Sequence, residues 1–216
     1  MKMLICLEGI DGVGKTTLSR KLSNYLAHEC YTTKIFAFPS TDFVKQSIAF
    51  CLNRNYSFSP ASLAMLFGLD IYNRQHDISS AIQYYDVVLL DRYFYSTLAY
   101  QGAMLRADVP TTVNFINELS DFFQRYILYT PELTLVYINS HLENFHKFDG
   151  DWQPDFFESQ KDIQAAAQTL YTTILPALYP EIEVIDVANK TPDEVFKATV
   201  DVIKRIYQIC ENKESE

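Results

Sequence analysis

Leu7-Glu8-Gly9-Ile10-Asp11-Gly12-Val13-Gly14-Lys15-Thr16-Thr17 decides the fold of this chain. Three of its six glycines, Gly9, Gly12 and Gly14, fall within six positions, and Lys15 and Thr16 follow at once. The spacing is glycine, four residues, then Gly-Lys-Thr. In that pattern backbone N–H groups wrap an oligophosphate and the lysine ammonium neutralises its outer charge. The hydroxyl of Thr16 is placed to ligate magnesium. Glycine is needed because the loop passes through positive φ and the phosphate approaches the main chain more closely than a Cβ allows.

With average glycine usage, this spacing arises by chance in roughly one unrelated chain of this length in a hundred. The rival reading, a glycine-rich turn that binds nothing, loses further ground to context. An apolar run, Met3-Leu4-Ile5-Cys6-Leu7, precedes the loop, and Leu18, Leu22, Tyr25 and Leu26 recur at helical spacing after it, before the chain turns near Cys30.

The 216 residues and 48% hydrophobic content suffice for a full core, which suggests one domain over 1–216 carrying at most a small lid. No segment reaches the length of apolar sequence needed to cross a membrane, and the start leads straight into a strand instead of a leader, so a cytoplasmic protein is expected. Cys6, Cys30, Cys51 and Cys210 show no paired metal-ligand spacing and are read as reduced structural thiols. His28, His76, His141 and His146 share no spacing and are read as surface or satisfied helix residues. A net charge of −9 argues against a general nucleic-acid binder, which needs a basic face to displace counterions. An anionic ligand must instead meet a local basic cluster.

Further strands are expected at Lys34–Phe38, ended by Pro39, at Val87–Leu90, ending on Asp91, at Leu133–Ile138 and at Ile182–Ile185. Ser59-Pro60 starts a helix whose apolar residues include Leu63, Leu66, Phe67 and Ile71. Thr191-Pro192-Asp193-Glu194 is a capping box opening a last helix with the stripe Val195, Phe196, Val200, Ile203, Ile206 and Tyr207, interrupted by the polar Thr199. Buried strands alternating with helices predict an α/β fold, a mostly parallel sheet with helices on both faces. Ligands of such sheets bind beyond the carboxyl ends of the strands. The glycine loop, Phe38-Pro39 and Asp91-Arg92 therefore share one rim.

The strand ending at Leu90 delivers a second constellation, Asp91-Arg92-Tyr93-Phe94-Tyr95-Ser96-Thr97-Leu98-Ala99-Tyr100-Gln101-Gly102. An acid at the end of an apolar strand beside a phosphate loop is placed to organise magnesium. The neighbouring arginine can grip a second phosphate with its two-pronged guanidinium. The competing reading is a plain surface ion pair between Asp91 and Arg92, with Tyr100 and Gln101 as ordinary helix residues.

With these residues the chain resembles the thymidylate kinases, which phosphorylate dTMP with ATP. The resemblance rests on the glycine loop, Phe38-Pro39, Leu66-Phe67, the Asp91-Arg92-Tyr93 to Tyr100-Gln101-Gly102 block, and Val184-Ile185-Asp186, in order along nearly the whole chain. It implies a three-layer kinase fold, a five-stranded parallel sheet with a short lid near 139–158. It also implies that Gly9, Ile10, Asp11, Gly12, Val13, Gly14, Lys15, Thr16 and Thr17 hold the ATP phosphates, with Thr16 and Asp91 on Mg2+. Asp186, Ala188 and Asn189 would lie near the adenine. On the acceptor side it implies Asp11 at the sugar 3′-hydroxyl, Arg92 on the phosphate, Phe67 against the pyrimidine and Tyr100 against the deoxyribose. Phe38 and Pro39, with Ser96, Thr97 and Gln101, would line the pocket. Nucleotides are the implied small-molecule partners, and a homodimer joined through helices the implied assembly. For Phe67 the plain alternative is a core aromatic on an apolar stripe.

The chain departs from the family at several positions. The arginine usual four residues after the stacking phenylalanine is Ile71, and Arg74, one turn further along the same face, is its expected substitute. Ser40 and Thr41 stand where an arginine often follows Phe-Pro, which shifts phosphate binding onto Arg92. The catalytic arginine that family members supply from the loop or lid is missing from both, Gly12 occupying the loop position. Lys147 is then the lid's candidate cation, among Asp149, Asp151, Trp152 and Asp155. Two alternatives follow: a related kinase for another deoxynucleotide or a nucleoside, and a nucleotide-binding protein with weak or lost transfer.

Overall fold

In a computed structural model of the chain, which describes residues 2–53, 58–127, 129–141 and 160–207, five strands form one parallel sheet. They are β1 (Met3–Gly9), β2 (Thr33–Ala37), β3 (Val87–Asp91), β4 (Leu133–Ile138) and β5 (Ile182–Asp186), in the order β2-β3-β1-β4-β5. Each lies within a residue or two of its expected span. The described helices are α1 (Lys15–His28), α2 (Asp42–Asn53), α3 (Pro60–Asn73), α4 (Gln75–Tyr84), α5 (Phe94–Met104), α6 (Val109–Tyr126), α7 (Lys161–Thr172), α8 (Ile174–Leu178) and α9 (Pro192–Tyr207). None of them is long and apolar enough to cross a membrane.

Alternation along the strands builds two cores. Met3, Ile5 and Leu7 of β1 face one side, where Leu18, Leu22 and Leu26 of α1 and Val195, Val200 and Ile203 of α9 cover them. Leu4 and Cys6 face the other side, covered by α3 to α8. Because β1, β3 and β4 are buried between helices, they read as near-continuous apolar runs instead of alternating ones, whereas the edge strands β2 and β5 are only partly buried.

The caps work as expected. Ser59 Oγ accepts the Ser62 N–H at 3.1 Å at the start of α3. At α9, Glu194 accepts from the Thr191 N–H at 2.8 Å while the Thr191 hydroxyl accepts the Glu194 N–H at 3.3 Å. The polar interruption in the α9 stripe is satisfied: Thr199 is fully buried, donates to the Val195 carbonyl and meets the Tyr137 hydroxyl at 2.9 Å.

Register sets the rim. Leu7 and Ala37 both pair with Asp91, Gly9 with Tyr137, and Ile138 with Asp186, so the carboxyl ends of all five strands finish together. Tight packing brings α5 up to that rim: a Cβ on Gly102 would come within 3.0 Å of Leu170 on α7 and 3.2 Å of Ile116 on α6.

Candidate active site

The loop between β1 and α1 has the backbone its glycines predict, with φ of 127° at Gly9, 80° at Gly12 and 84° at Gly14. A Cβ at Gly9 would fall 2.0 Å from the Tyr137 carbonyl oxygen, whereas one at Gly14 would meet nothing within 4 Å. Gly9 is thus locked against β4, and Gly14 borders open space at the amino end of α1. A helix start of this kind, with its amide hydrogens unpaired, attracts anions. Ile10 and Val13 point back into the α1 side of the core, while Thr16 and Thr17 are exposed.

Lys15 is buried, and its ammonium donates to the Ile10 carbonyl at 2.6 Å, folded across the loop. Burial and the nearby Arg92 guanidinium push its pKa down to about 7, against the opposing pull of Asp11, Asp91 and Glu8. Thr16 Oγ donates to Asp91 Oδ2 at 2.6 Å. A hydroxyl and a carboxylate at that separation are hard oxygen donors of the kind magnesium accepts alongside phosphate oxygens and water.

Arg92 leaves the strand end in a left-handed conformation, φ 67°, at a backbone cost of about 1 kcal/mol for a non-glycine residue. Its N–H donates to the Leu7 carbonyl at 2.9 Å, which holds the turn. The guanidinium pairs with Asp11, donates to the Gly9 carbonyl at 3.2 Å and Ser96 Oγ at 3.1 Å, and lies 5.6 Å from the centre of the Tyr100 ring. Against the cost of burial, Asp11 and the neighbouring Tyr100, Tyr171 and Glu8 push its pKa well above the ordinary arginine value. The surface-pair reading of Asp91-Arg92 is therefore wrong. The two adjacent side chains diverge, Asp91 to Thr16 on the loop helix and Arg92 to Asp11 inside the loop.

Asp11 is the junction. Its Oδ2 accepts from the Tyr100 hydroxyl at 2.7 Å and from Gln164 Nε2 at 3.3 Å, and its own N–H donates to the Tyr100 oxygen and Gln164 Oε1. Burial alone would raise its pKa, but Arg92 and Lys15, with the Tyr100 and Gln164 hydrogen bonds, hold it below the usual aspartate value. The carboxyl group stays ionised, with Oδ1 on Arg92 and Oδ2 on Tyr100 and Gln164.

The remaining expected acceptor residues lie around α3, α5 and the β2 end. Thr97, Tyr100 and Gln101 are buried on α5. Among the described residues Gln101 Oε1 has no hydrogen-bond partner, and its Nε2 meets the Met104 sulfur at 3.9 Å. Phe38 packs its ring on Tyr93, 5.7 Å between centres, with Pro39 following at the rim. Phe67 is half-buried, whereas Ile71 is sunk in the core. Arg74 ends α3 with Nε donating to Ser40 Oγ at 3.0 Å and a second nitrogen paired with Asp77 at 2.6 Å. Ser40 is in turn held by the buried Asp70. The residue that stands in the usual arginine position after Phe-Pro thus anchors an arginine from elsewhere.

At the β5 end, Asp186 Oδ1 accepts the Ser140 N–H at 3.1 Å and the Ala188 N–H at 2.9 Å, and Asn189 is left-handed with φ 57°. These bonds outweigh partial burial and lower the Asp186 pKa. The turn thus lies against Ser140, the start of the expected lid. Residues 142–158 of that lid, including Lys147, lie outside the described residues.

Three residues that the pattern of the sequence did not single out belong to this cluster. Gln164 and Tyr171 stand seven apart on α7; Gln164 reaches Asp11 in the loop and Tyr171 reaches Glu8 at the end of β1. Glu8 is fully buried at the end of β1, an acid within an apolar strand. That incongruity was its one visible signal. Nothing local marked the other two.

The family model for thymidylate kinase matches residues 7–198. A thymidylate kinase from Neorickettsia sennetsu is 29% identical over 197 residues, covering 90% of this chain and 92% of the relative. A probable thymidylate kinase from Metallosphaera sedula is 34% identical over 165 residues, 74% of this chain and 73% of the relative. Among solved structures, the thymidylate kinase of Candida albicans, reported as having broad substrate specificity, superposes with a TM-score of 0.75 at 26% identity, covering 95% of this chain and 92% of that one.

Proposed function

The chain belongs to the thymidylate kinase family, and from that premise we propose that it transfers the γ-phosphoryl group of ATP to dTMP, giving dTDP and ADP. The observation that carries this reading is two groups on the β3–α5 segment: the partly buried Arg92 guanidinium, paired with Asp11 of the loop, and the buried Gln101 amide, whose oxygen lacks a partner among the described residues. In this reading the first takes the acceptor phosphate and the second an edge of the base.

A phosphate oxygen of dTMP attacks the γ-phosphorus in line, and the bond to the β-phosphate bridging oxygen breaks as ADP leaves. Charge is conserved without any proton leaving the acceptor, so positioning and electrostatics supply the catalysis. Lys15 swings from the Ile10 carbonyl to the phosphates, Gly9 to Thr17 wrap them, and Arg92 holds the acceptor phosphate. Asp11, ionised, accepts from the 3′-hydroxyl, and Tyr100 walls the sugar. Phe67 and Phe38-Pro39 flank the base with Ser96, Thr97 and Gln101. Asp186, Ala188 and Asn189 border the adenine. Thr16 and Asp91 fit magnesium, which when bound screens the β- and γ-phosphate oxygens. Lys147 is the lid cation in this reading.

A second reading, a different base preference, is favoured by Ile71, which is buried in the core and offers the base nothing polar. Coupled-assay turnover with dTMP, dUMP, the other deoxynucleoside monophosphates and thymidine decides between them. We expect dTMP to give the highest kcat/KM; background rates with every acceptor would sink the kinase reading.

We also read the chain as one cytoplasmic kinase domain that acts as a homodimer. Met65, Leu69 and Tyr72 are exposed at successive turns of α3, and Phe43 and Phe50 are exposed on α2, an apolar surface suited to a second copy. Light scattering at micromolar protein should give about 50 kDa, twice the 25.0 kDa chain mass.

A further inference from the structure

Glu8 is fully buried and the chemistry proposed above does not use it. An isolated carboxylate in that position would be costly, so its partners define its purpose. Oε1 accepts the Tyr93 N–H at 2.7 Å and the Ser96 N–H at 3.1 Å, two amide donors at the amino end of α5. Oε2 accepts from the Ser96 hydroxyl and, at 2.9 Å, from the Tyr171 hydroxyl of α7. Burial raises the Glu8 pKa, while Arg92 and these donors pull it back.

One carboxylate therefore ties three elements together: the strand that leads into the phosphate loop, the helix that carries the acceptor residues, and the helix that follows the lid. Its reach continues through Ser96. With the Ser96 proton committed to Glu8, a lone pair of Oγ is left to accept Arg92 NH1 at 3.1 Å. The other Arg92 nitrogen faces Asp11.

We propose that Glu8 is a positioning residue for the acceptor phosphate, aiming Arg92 through the polarity of the Ser96 hydroxyl; this rests on the kinase reading above. Glu8→Gln keeps the shape but puts an NH2 where Oε2 was. That NH2 donates to Ser96 Oγ, whose proton then turns toward Arg92 and sets donor against donor. The alternative amide orientation is worse, since it points the NH2 at two backbone N–H groups.

The test is a double-mutant cycle of Glu8→Gln with Ser96→Ala, read as KM for dTMP, kcat and the ATP dissociation constant. KM for dTMP should rise about tenfold in Glu8→Gln, with ATP affinity changed less than about twofold. In the Ser96→Ala background the same substitution should change KM by less than about twofold. Equal losses for ATP and dTMP, no loss, or effects that multiply across the cycle would overturn the proposal. Should Glu8→Gln fail to fold, Tyr171→Phe removes one donor to the same oxygen and should raise KM for dTMP about threefold at unchanged ATP affinity; an unchanged KM would overturn it as well. Failure of the kinase reading shows separately, in the wild-type enzyme's own lack of dTMP turnover.

Discussion

The glycine loop is built from consecutive residues, Gly9 to Thr17, whereas the proposed acceptor side takes Asp11, Arg92, Tyr100 and Gln164 from stretches up to 153 positions apart. The loop needs little beyond its own backbone: three positive φ values, a strand behind it and a helix in front. The acceptor side needs strand register, the close approach of α5 to α7 and a buried hydrogen-bonded network. Damage to the loop should therefore act on ATP and spare the fold. Damage across the rim should act on dTMP and, where the network is cut, on stability too.

Lys15→Ala is the strongest way to break that separation. The kcat/KM should fall about 10²–10³-fold, while the melting temperature should hold or rise, because a buried ammonium is removed. A melting temperature that falls steeply would show that the loop is not locally built. On the acceptor side, Gln101→Leu should cost about 10–100-fold in kcat/KM for dTMP and narrow its advantage over other acceptors. It should not destabilise the protein, since it replaces an amide whose oxygen is unpartnered among the described residues. Retained dTMP preference in this variant would move base recognition elsewhere, with Arg74 the next residue to test.

A smaller effect comes from the Lys15 ammonium, whose pKa in the free protein is pushed down to about 7. Polyphosphate favours the charged form and raises that pKa. Binding then takes up a proton above pH 7, and ATP affinity should fall about fivefold from pH 7 to pH 8. Calorimetry in buffers of different ionisation enthalpy checks the uptake, and a pH-independent ATP affinity would refute it. Smallest of all, Thr191→Ala removes the capping box of α9, just beyond the turn read as bordering the adenine. It should lower stability by about 1 kcal/mol, roughly 2–4 °C in melting temperature, with kinetics unchanged.

The strands were legible in the sequence because each is a short apolar run bounded by polar or turn residues, and the caps because Ser59 and Thr191 act on amides three positions away. The loop was legible for the same reason. The fate of Asp91 and Arg92 was not. Adjacent opposite charges suggest a pair, and only the left-handed turn at Arg92 sends them to different partners. Arg74 was expected near the acceptor from helical spacing, but its anchoring to Ser40 depends on where the β2 end lies against α3. Gln164 and Tyr171 carried no local mark, because their partners Asp11 and Glu8 lie more than 150 residues earlier in the chain.

The sequence by itself determined the alternating α/β plan, the phosphate loop and the family, since each is written in contacts between near neighbours or in residue types at fixed spacing. Tertiary structure alone decided that Asp11 is held by Tyr100 and Gln164, that Arg92 turns toward it and away from Asp91, and that Glu8 links the loop strand to α5 and α7. These depend on register and on helix packing, which bring together side chains that no periodicity connects.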